Sequence, residues 1–367
     1  MKEQSRVSLL DSFRFLAILM VIFYHYYSRW TMPISKLKLY DYDYSFDIFK
    51  YGYLGVEFFF IISGFVIYFT LTKTQSKLIF LKKRFIRLFP TMLLCSVLTF
   101  LFFLFFDENL LFPNSHNIKN VIFSCTFLSP NLAEQFGFNL VYIDGSYWSL
   151  WVEIQFYFIS CFIYFINPKK FLFHFGLISI FLFFGHIALN SNLGSELIIT
   201  NFSNEFYEFI LNFCRILNLS EYVLWFLMGM IFYELFQNKK KYKLLILLFF
   251  VVTIQFFFLK YLPIILISSF FIILFLLMIY KPNWIAFLNN KFFIKIGVVS
   301  YSLYLIHQNI GVLIINKMSD LIKTDYMILI PLVIIVLLIN FSFFIFKYFE
   351  KPISIFFKSF NNDGRKS

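Results

Sequence analysis

Charge is scarce in this chain. Asp, Glu, Lys and Arg make up only 14% of its 367 residues, and it has just 12 Gly and 9 Pro. So few charges cannot coat a soluble domain of this length, and so few breakers leave long uninterrupted helices available. Cysteine is scarce too. Cys95, Cys125, Cys161 and Cys214 show no paired spacing, which indicates neither a disulfide framework nor a zinc site. The alternation of apolar and polar residues that marks a barrel strand is also missing, which excludes a transmembrane β-barrel. The first apolar run lacks a small-residue cleavage site, so it reads as a retained anchor rather than a removed leader.

What is abundant is apolar and aromatic. The chain is 60% hydrophobic, with 59 Phe and 23 Tyr. Continuous runs long enough to cross about 30 Å of hydrocarbon recur along it, which predicts an all-α, polytopic membrane protein. About ten spans can be marked, near 9–28, 53–72, 88–106, 147–166, 171–190, 222–237, 243–260, 262–280, 296–316 and 326–347. The sixth is short, and residues 206–219 beside it read as an interfacial or re-entrant helix. This predicts one membrane domain over residues 1–350 and a polar cytoplasmic tail over 351–367, loose from Ser359 onward.

A net charge of +12 would suggest nucleic-acid binding in a soluble protein. Here the basic residues gather in alternate short connections, among them Lys82, Lys83, Lys169, Lys170 and Lys239 to Lys241. The positive-inside rule then places both termini in the cytoplasm, in a cell (inner or plasma) membrane crossed many times, and nucleic acid drops out as a partner.

Against that background, Asp11, Arg14 and His25 stand out inside the first span. An ionisable side chain at a helix centre costs roughly 2.5–3.5 kcal/mol on insertion scales, so three in one span point to a working site. Arg14 and His25 are eleven residues apart, which on an α-helix places them on one face about 16 Å apart along the axis. Arg14 then lies near the inner mouth and His25 near the outer end. A histidine there can accept and return a proton near neutral pH. Glu153, two turns into the fourth span, and Glu57, at the outer end of the second, are both at a depth to orient it. Either carboxylate could equally be a member of a buried ion pair.

Arg84 and Arg87 stand one turn apart at the cytosolic start of the third span. Guanidinium pairs grip phosphates bidentately, although basic residues flanking a span also mark topology. Glu153 and Tyr157 share a face after an outer turn containing Trp148 and Ser149. Tyr301, Tyr304 and His307 form a polar stripe that reads, by itself, as helix packing. His116, His174 and His186 suggest no role.

Taken together, these stretches resemble the acyltransferase-3 family of integral membrane O-acyltransferases. Leu10-Asp-Ser-Phe-Arg-Phe-Leu-Ala17 with His25 resembles its opening motif. Gly55-Val-Glu-Phe-Phe-Phe-Ile-Ile-Ser-Gly-Phe65, containing Ser63, resembles the second, with Glu57 where the family more often has Asp. Arg84, Arg87 and Pro90 match a basic third motif. Trp148-Ser-Leu with Glu153, Phe156 and Tyr157 matches a fourth, and Ser300-Tyr-Ser-Leu-Tyr-Leu-Ile-His-Gln308 with Phe349-Glu-Lys-Pro352 matches the closing region. The matches span almost the whole chain, and are weakest between the fifth and sixth spans.

The resemblance implies transfer of an acyl group, commonly acetyl from acetyl-CoA and without a metal, to a hydroxyl of a sugar or lipid-linked glycan. It implies the stand-alone form, with no appended hydrolase-like domain. In the expected mechanism Arg14, Arg84 and Arg87 hold the phosphates of acyl-CoA, His25 is the general base, and Glu153 or Glu57 orients it. Asp11, Ser63, Trp148, Ser149, Tyr157, Tyr301 and His307 support the site. Direct transfer and a covalent acyl-histidine both fit. The rival reading is a glycan or lipid transporter or flippase with His25 in a proton relay, although no inverted repeat supports it.

Overall fold

Long Phe-, Ile- and Leu-rich runs with few breakers form helices, and no strand occurs among the described residues of the computed structural model, which are 3–30, 47–201, 203–321 and 325–363. Lys2, Lys36, Lys38, Lys323, Arg365 and Lys366, which contribute to the charge asymmetry along the chain, lie outside them.

Eleven helices frame the site. They are α1 (Glu3–Tyr24), α2 (Gly55–Thr72), α3 (Lys77–Phe106), α4 (Trp148–Ile166), α5 (Phe171–Leu189) and α6 (Leu219–Gln237). They continue with α7 (Tyr242–Phe257), α8 (Leu262–Tyr280), α9 (Ser300–His307), α10 (Asn309–Leu321) and α11 (Ile330–Ile345). Among the described residues, 8 of the helical stretches are long and apolar enough to cross a membrane. They contain α1 to α6, α8 and α11. Helix α7 is apolar but has only 16 residues.

The stretch expected as one span over 296–316 is broken. Helix α9 ends at His307, α10 starts at Asn309, and Gln308 lies between them. The cause is a side chain drawn into the backbone ladder: the Asn309 amide donates to Asp144 Oδ2 at 2.9 Å. The ladder resumes where the Val312 amide donates to the Gln308 carbonyl. Asn309 Nδ2 also donates to Ser115 Oγ and to the Ile143 carbonyl, tying the α3–α4 connection to this break.

Helix α6 is the most enclosed, with 78% of its apolar window buried against 17% for α5, so α6 lies at the centre and α5 at the rim. Helix α2 packs along α6 through Gly64 and Gly229. A Cβ on Gly64 would run into the Phe226 carbonyl, and one on Gly229 into the Ile61 carbonyl, so small residues set the approach of these helices. Phe156 stacks on Phe226 at 4.1 Å and locks α4 against the same centre. Helix α3 opens on Ser76, whose Oγ accepts from the Ile79 amide, and carries Pro90 inside it, a break that membrane helices tolerate.

Helix α1 ends in a π turn over His25–Arg29. Such turns are uncommon and cluster at functional sites. The expected helix near residues 206–219 is present as Asn204–Ile216. At the C-terminal end, the segment expected to be loose from Ser359 is helical as part of Lys351–Asp363, while 364–367 lie outside the described residues.

Candidate functional site: two cavities with a shared wall

Two cavities lie along the axis of α1. The inner cavity, the one nearer the N-terminal end of α1, encloses about 90 Å³, and its lining includes Arg14 from α1, Ser63 from α2, Arg84 and Arg87 from α3, and Glu153 and Tyr157 from α4. Ser149, Tyr301 and Tyr304 complete it on the far side. Arg14 Nη1 pairs with Asp11 Oδ1 at 2.5 Å. Arg84 donates from Nη2 to Thr70 Oγ1 at 3.2 Å, and its guanidinium lies near the rings of Phe80 (5.6 Å) and Tyr157 (5.8 Å). Arg84 Nε and Nη1 are buried and have no partner among the described residues.

Glu153 belongs to this cavity. Its Oε1 accepts from Ser63 Oγ at 2.7 Å and from the Tyr157 hydroxyl at 2.5 Å. Tyr301 donates to the Leu88 carbonyl at 3.1 Å, and Ser149 Oγ meets the Tyr304 hydroxyl at 2.7 Å. Three guanidinium groups therefore face one lining carboxylate. Buried donors left unpaired beside a surplus of positive charge make an anion site, because an anion would satisfy both the charge and the hydrogen bonds.

The outer cavity is larger, about 400 Å³, and is lined by His25, Arg29, Tyr53, Glu57, Trp148, Glu221, Tyr222 and Gln308 among others. His25 is 6% exposed, and its Nδ1 is buried without a partner among the described residues. Glu57 Oε2 is in the same condition. The Trp148 ring leans on Tyr222 at 5.4 Å. Indole and phenol rings beside carboxylates suit a ligand with both apolar ring faces and hydroxyl groups.

Val56 and Tyr304 line both cavities and form the wall between them. The Tyr304 hydroxyl donates to the Ser146 carbonyl at 2.6 Å, which fixes that side of the wall to the outer turn. In that turn Asp144 accepts from the amide and the hydroxyl of Ser146 as well as from Asn309. Burial pushes the Asp144 carboxyl up to about 6, against these hydrogen bonds, which pull it down.

The inner cavity thus gathers Arg14, Arg84, Arg87, Ser63, Ser149, Glu153, Tyr157 and Tyr301, with Asp11 as the ion-pair partner of Arg14. Glu153 does not sit with His25, contrary to expectation. Its face of α4 turns toward Ser63 and Arg84, so its carboxylate offsets part of the charge of the arginine cluster. Glu57 shares the outer cavity with His25, yet no carboxylate hydrogen-bonds to His25 among the described residues. Two rings lie against His25, that of Tyr24 with centroids 5.2 Å apart and that of His307 with centroids 5.1 Å apart.

Arg29, Glu221 and Gln308 line the outer cavity and were not singled out from the sequence. Arg29 follows the end of the expected first span, and the π turn that prolongs α1 places it beside His25, four residues earlier. Of the histidines that suggested no role, His116 meets Asp107 Oδ2 at 3.0 Å and His186 meets Ser220 Oγ at 3.3 Å.

A family model described as an acyltransferase domain matches residues 7–349. Among curated proteins, an "O-acetyl transferase" of Shigella phage Sf6 is 31% identical over 153 residues, which is 41% of this chain and 44% of that protein. The aligned stretch therefore spans less than half of the relative's length. No solved structure matches.

Proposed function

Since the chain belongs to the acyltransferase family whose domain model covers residues 7–349, we propose that it is a membrane O-acetyltransferase moving an acetyl group from acetyl-CoA to a hydroxyl of a cell-surface sugar or lipid-linked glycan. The observation that carries this reading is the pair of cavities: one with surplus arginine, one with a buried histidine, meeting at Val56 and Tyr304.

The protein crosses the cell membrane ten times with both termini in the cytoplasm. The donor's phosphates stay at the cytosolic mouth, held by Arg14, Arg84 and Arg87. An inner void of about 90 Å³ has room for an acetyl group at the end of a slender arm but not for a nucleotide. The phage relative's name, "O-acetyl transferase", points to the same small acyl group and the same kind of acceptor atom.

The glycan takes the outer cavity, its ring against Trp148 and Tyr222. His25 removes the acceptor hydroxyl proton as the oxygen attacks the thioester carbonyl. The carbon–sulfur bond breaks, the proton passes to the departing thiolate, and ester and free CoA are the products. Low-dielectric walls keep water from the thioester.

The test uses purified protein in nanodiscs, acetyl-CoA labelled in its acetyl group, and cell-surface polysaccharide stripped of ester groups by mild alkali. Wild type should label the polysaccharide, and His25→Ala should lower kcat by roughly 100- to 10,000-fold, the usual contribution of a general base. Near-normal turnover by that variant would remove His25 from the chemistry.

A further inference from the structure

If His25 is the base, something must decide which of its two nitrogens carries the resting proton, and no carboxylate contacts it among the described residues. Its neighbour is itself a ring with a settled tautomer. His307 is fully buried, and its Nδ1 lies 2.6 Å from the Tyr304 carbonyl. A carbonyl oxygen only accepts, so Nδ1 holds the proton and Nε2 presents a lone pair. That Nε2 is buried and has no partner among the described residues, as is His25 Nδ1.

These two orphan nitrogens belong to rings that touch at 5.1 Å between centroids, inclined at 64°. Unpartnered buried polar atoms are rare, and two on neighbouring rings form a complementary donor–acceptor set. The rings are not hydrogen-bonded to each other in this arrangement. The χ2 torsion of histidine is broad, and catalytic hydrogen bonds commonly tighten only when substrate is present, so a small ring rotation closes the contact.

We propose that His307 is a positioning residue for His25: its Nε2 accepts the His25 ring N–H, leaving the opposite nitrogen of His25 bare to take the acceptor proton. This rests on the reading of His25 as the base. It assigns to a neutral imidazole the orienting task that Asp or Glu performs in other base pairs. As His25 takes the hydroxyl proton it becomes imidazolium, and the hydrogen bond to His307 spreads its charge. The acceptor oxygen bonds to the acyl carbon, the carbon–sulfur bond breaks, and His25 gives that proton to the thiolate. His307 keeps its own proton on the Tyr304 carbonyl throughout.

The Tyr26 hydroxyl donates to the His307 carbonyl at 2.7 Å, so the helix that carries His25 also holds the backbone of its positioning residue. A Cβ on Gly311, one turn on, would strike that Tyr26 hydroxyl, so α1 and the start of α10 have no slack between them.

Two substitutions separate positioning from packing. His307→Asn keeps an N–H near the Nδ1 position for the Tyr304 carbonyl but has no acceptor near Nε2. His307→Gln reaches the Nε2 position with its side-chain oxygen. With labelled acetyl-CoA and alkali-stripped polysaccharide, and kcat normalised to monodisperse protein, the Asn variant should lose 10- to 100-fold in kcat. Its KM for acetyl-CoA should stay within twofold of wild type, and Gln should recover much of the loss. A packing role predicts the reverse, with Asn near wild type and Gln impaired, and that result would overturn the proposal. If His25→Ala is inactive while both His307 variants turn over normally, positioning falls and the base assignment stands. If His25→Ala is active, the underlying reading falls first.

Discussion

At the scale of single residues, the site depends on polar groups held in apolar surroundings, some paired and some left with buried unpartnered atoms. Glu153 offers the clearest case. In isolation a carboxylate four residues before a tyrosine on a membrane helix could serve a base or an ion pair, and its neighbours decide: Ser63, Tyr157 and the arginine cluster make it the counter-charge of the inner cavity. Asp144, outside the spans, can be tested by titration. Its folded-state value of about 6 lies above that of a free aspartate, so the stabilisation from holding the proton is complete below the free value and is lost as pH rises through about 6. Relative to Asp144→Asn, wild type should therefore lose thermal stability between about pH 4 and pH 6 and change little above about pH 7, by an amount on the order of a few kcal/mol, since one pKa unit is about 1.4 kcal/mol. Melting curves of both proteins across that range provide the check, and parallel pH profiles would contradict it.

At the scale of elements, much of the architecture is legible in the sequence because hydrocarbon thickness fixes the length of an apolar run. The stretches around α1 to α6, α8 and α11 follow directly from it. Arg14, Arg84 and Arg87, which the charge pattern puts on one side, line one cavity. The illegible parts are where a side chain from elsewhere enters a helix. Nothing between residues 296 and 316 announces a break, because the cause is Asp144, over 150 residues earlier, taking the Asn309 amide. The π turn at His25 is equally silent in the sequence, and with it the place of Arg29 in the lining of the outer cavity. The pairing of His25 with His307 needs both helices placed. The close approach of α2 to α6 gives its own prediction: Gly64→Val should push α2 off the Phe226 carbonyl and destabilise the protein by about 1–3 kcal/mol, read as a lower melting temperature in nanodiscs. An unchanged melting temperature would mean that α2 and α6 do not meet there.

For the whole molecule, the two cavities matter more than either one alone. Arg84 and Arg87 lie toward the N-terminal end of α3 and the His25 cavity toward the C-terminal end of α1, with Val56 and Tyr304 between the two cavities. On the function proposed above, a charged donor would enter from one aqueous phase and a hydroxyl acceptor from the other, so neither substrate would have to cross the bilayer. The most direct test is sidedness in proteoliposomes of known protein orientation, with labelled acetyl-CoA in one compartment and alkali-stripped polysaccharide in the other. The account predicts label on the polysaccharide only when acetyl-CoA is on the side of Arg84 and Arg87 and the polysaccharide is opposite. Transfer only when both substrates share one compartment would contradict it.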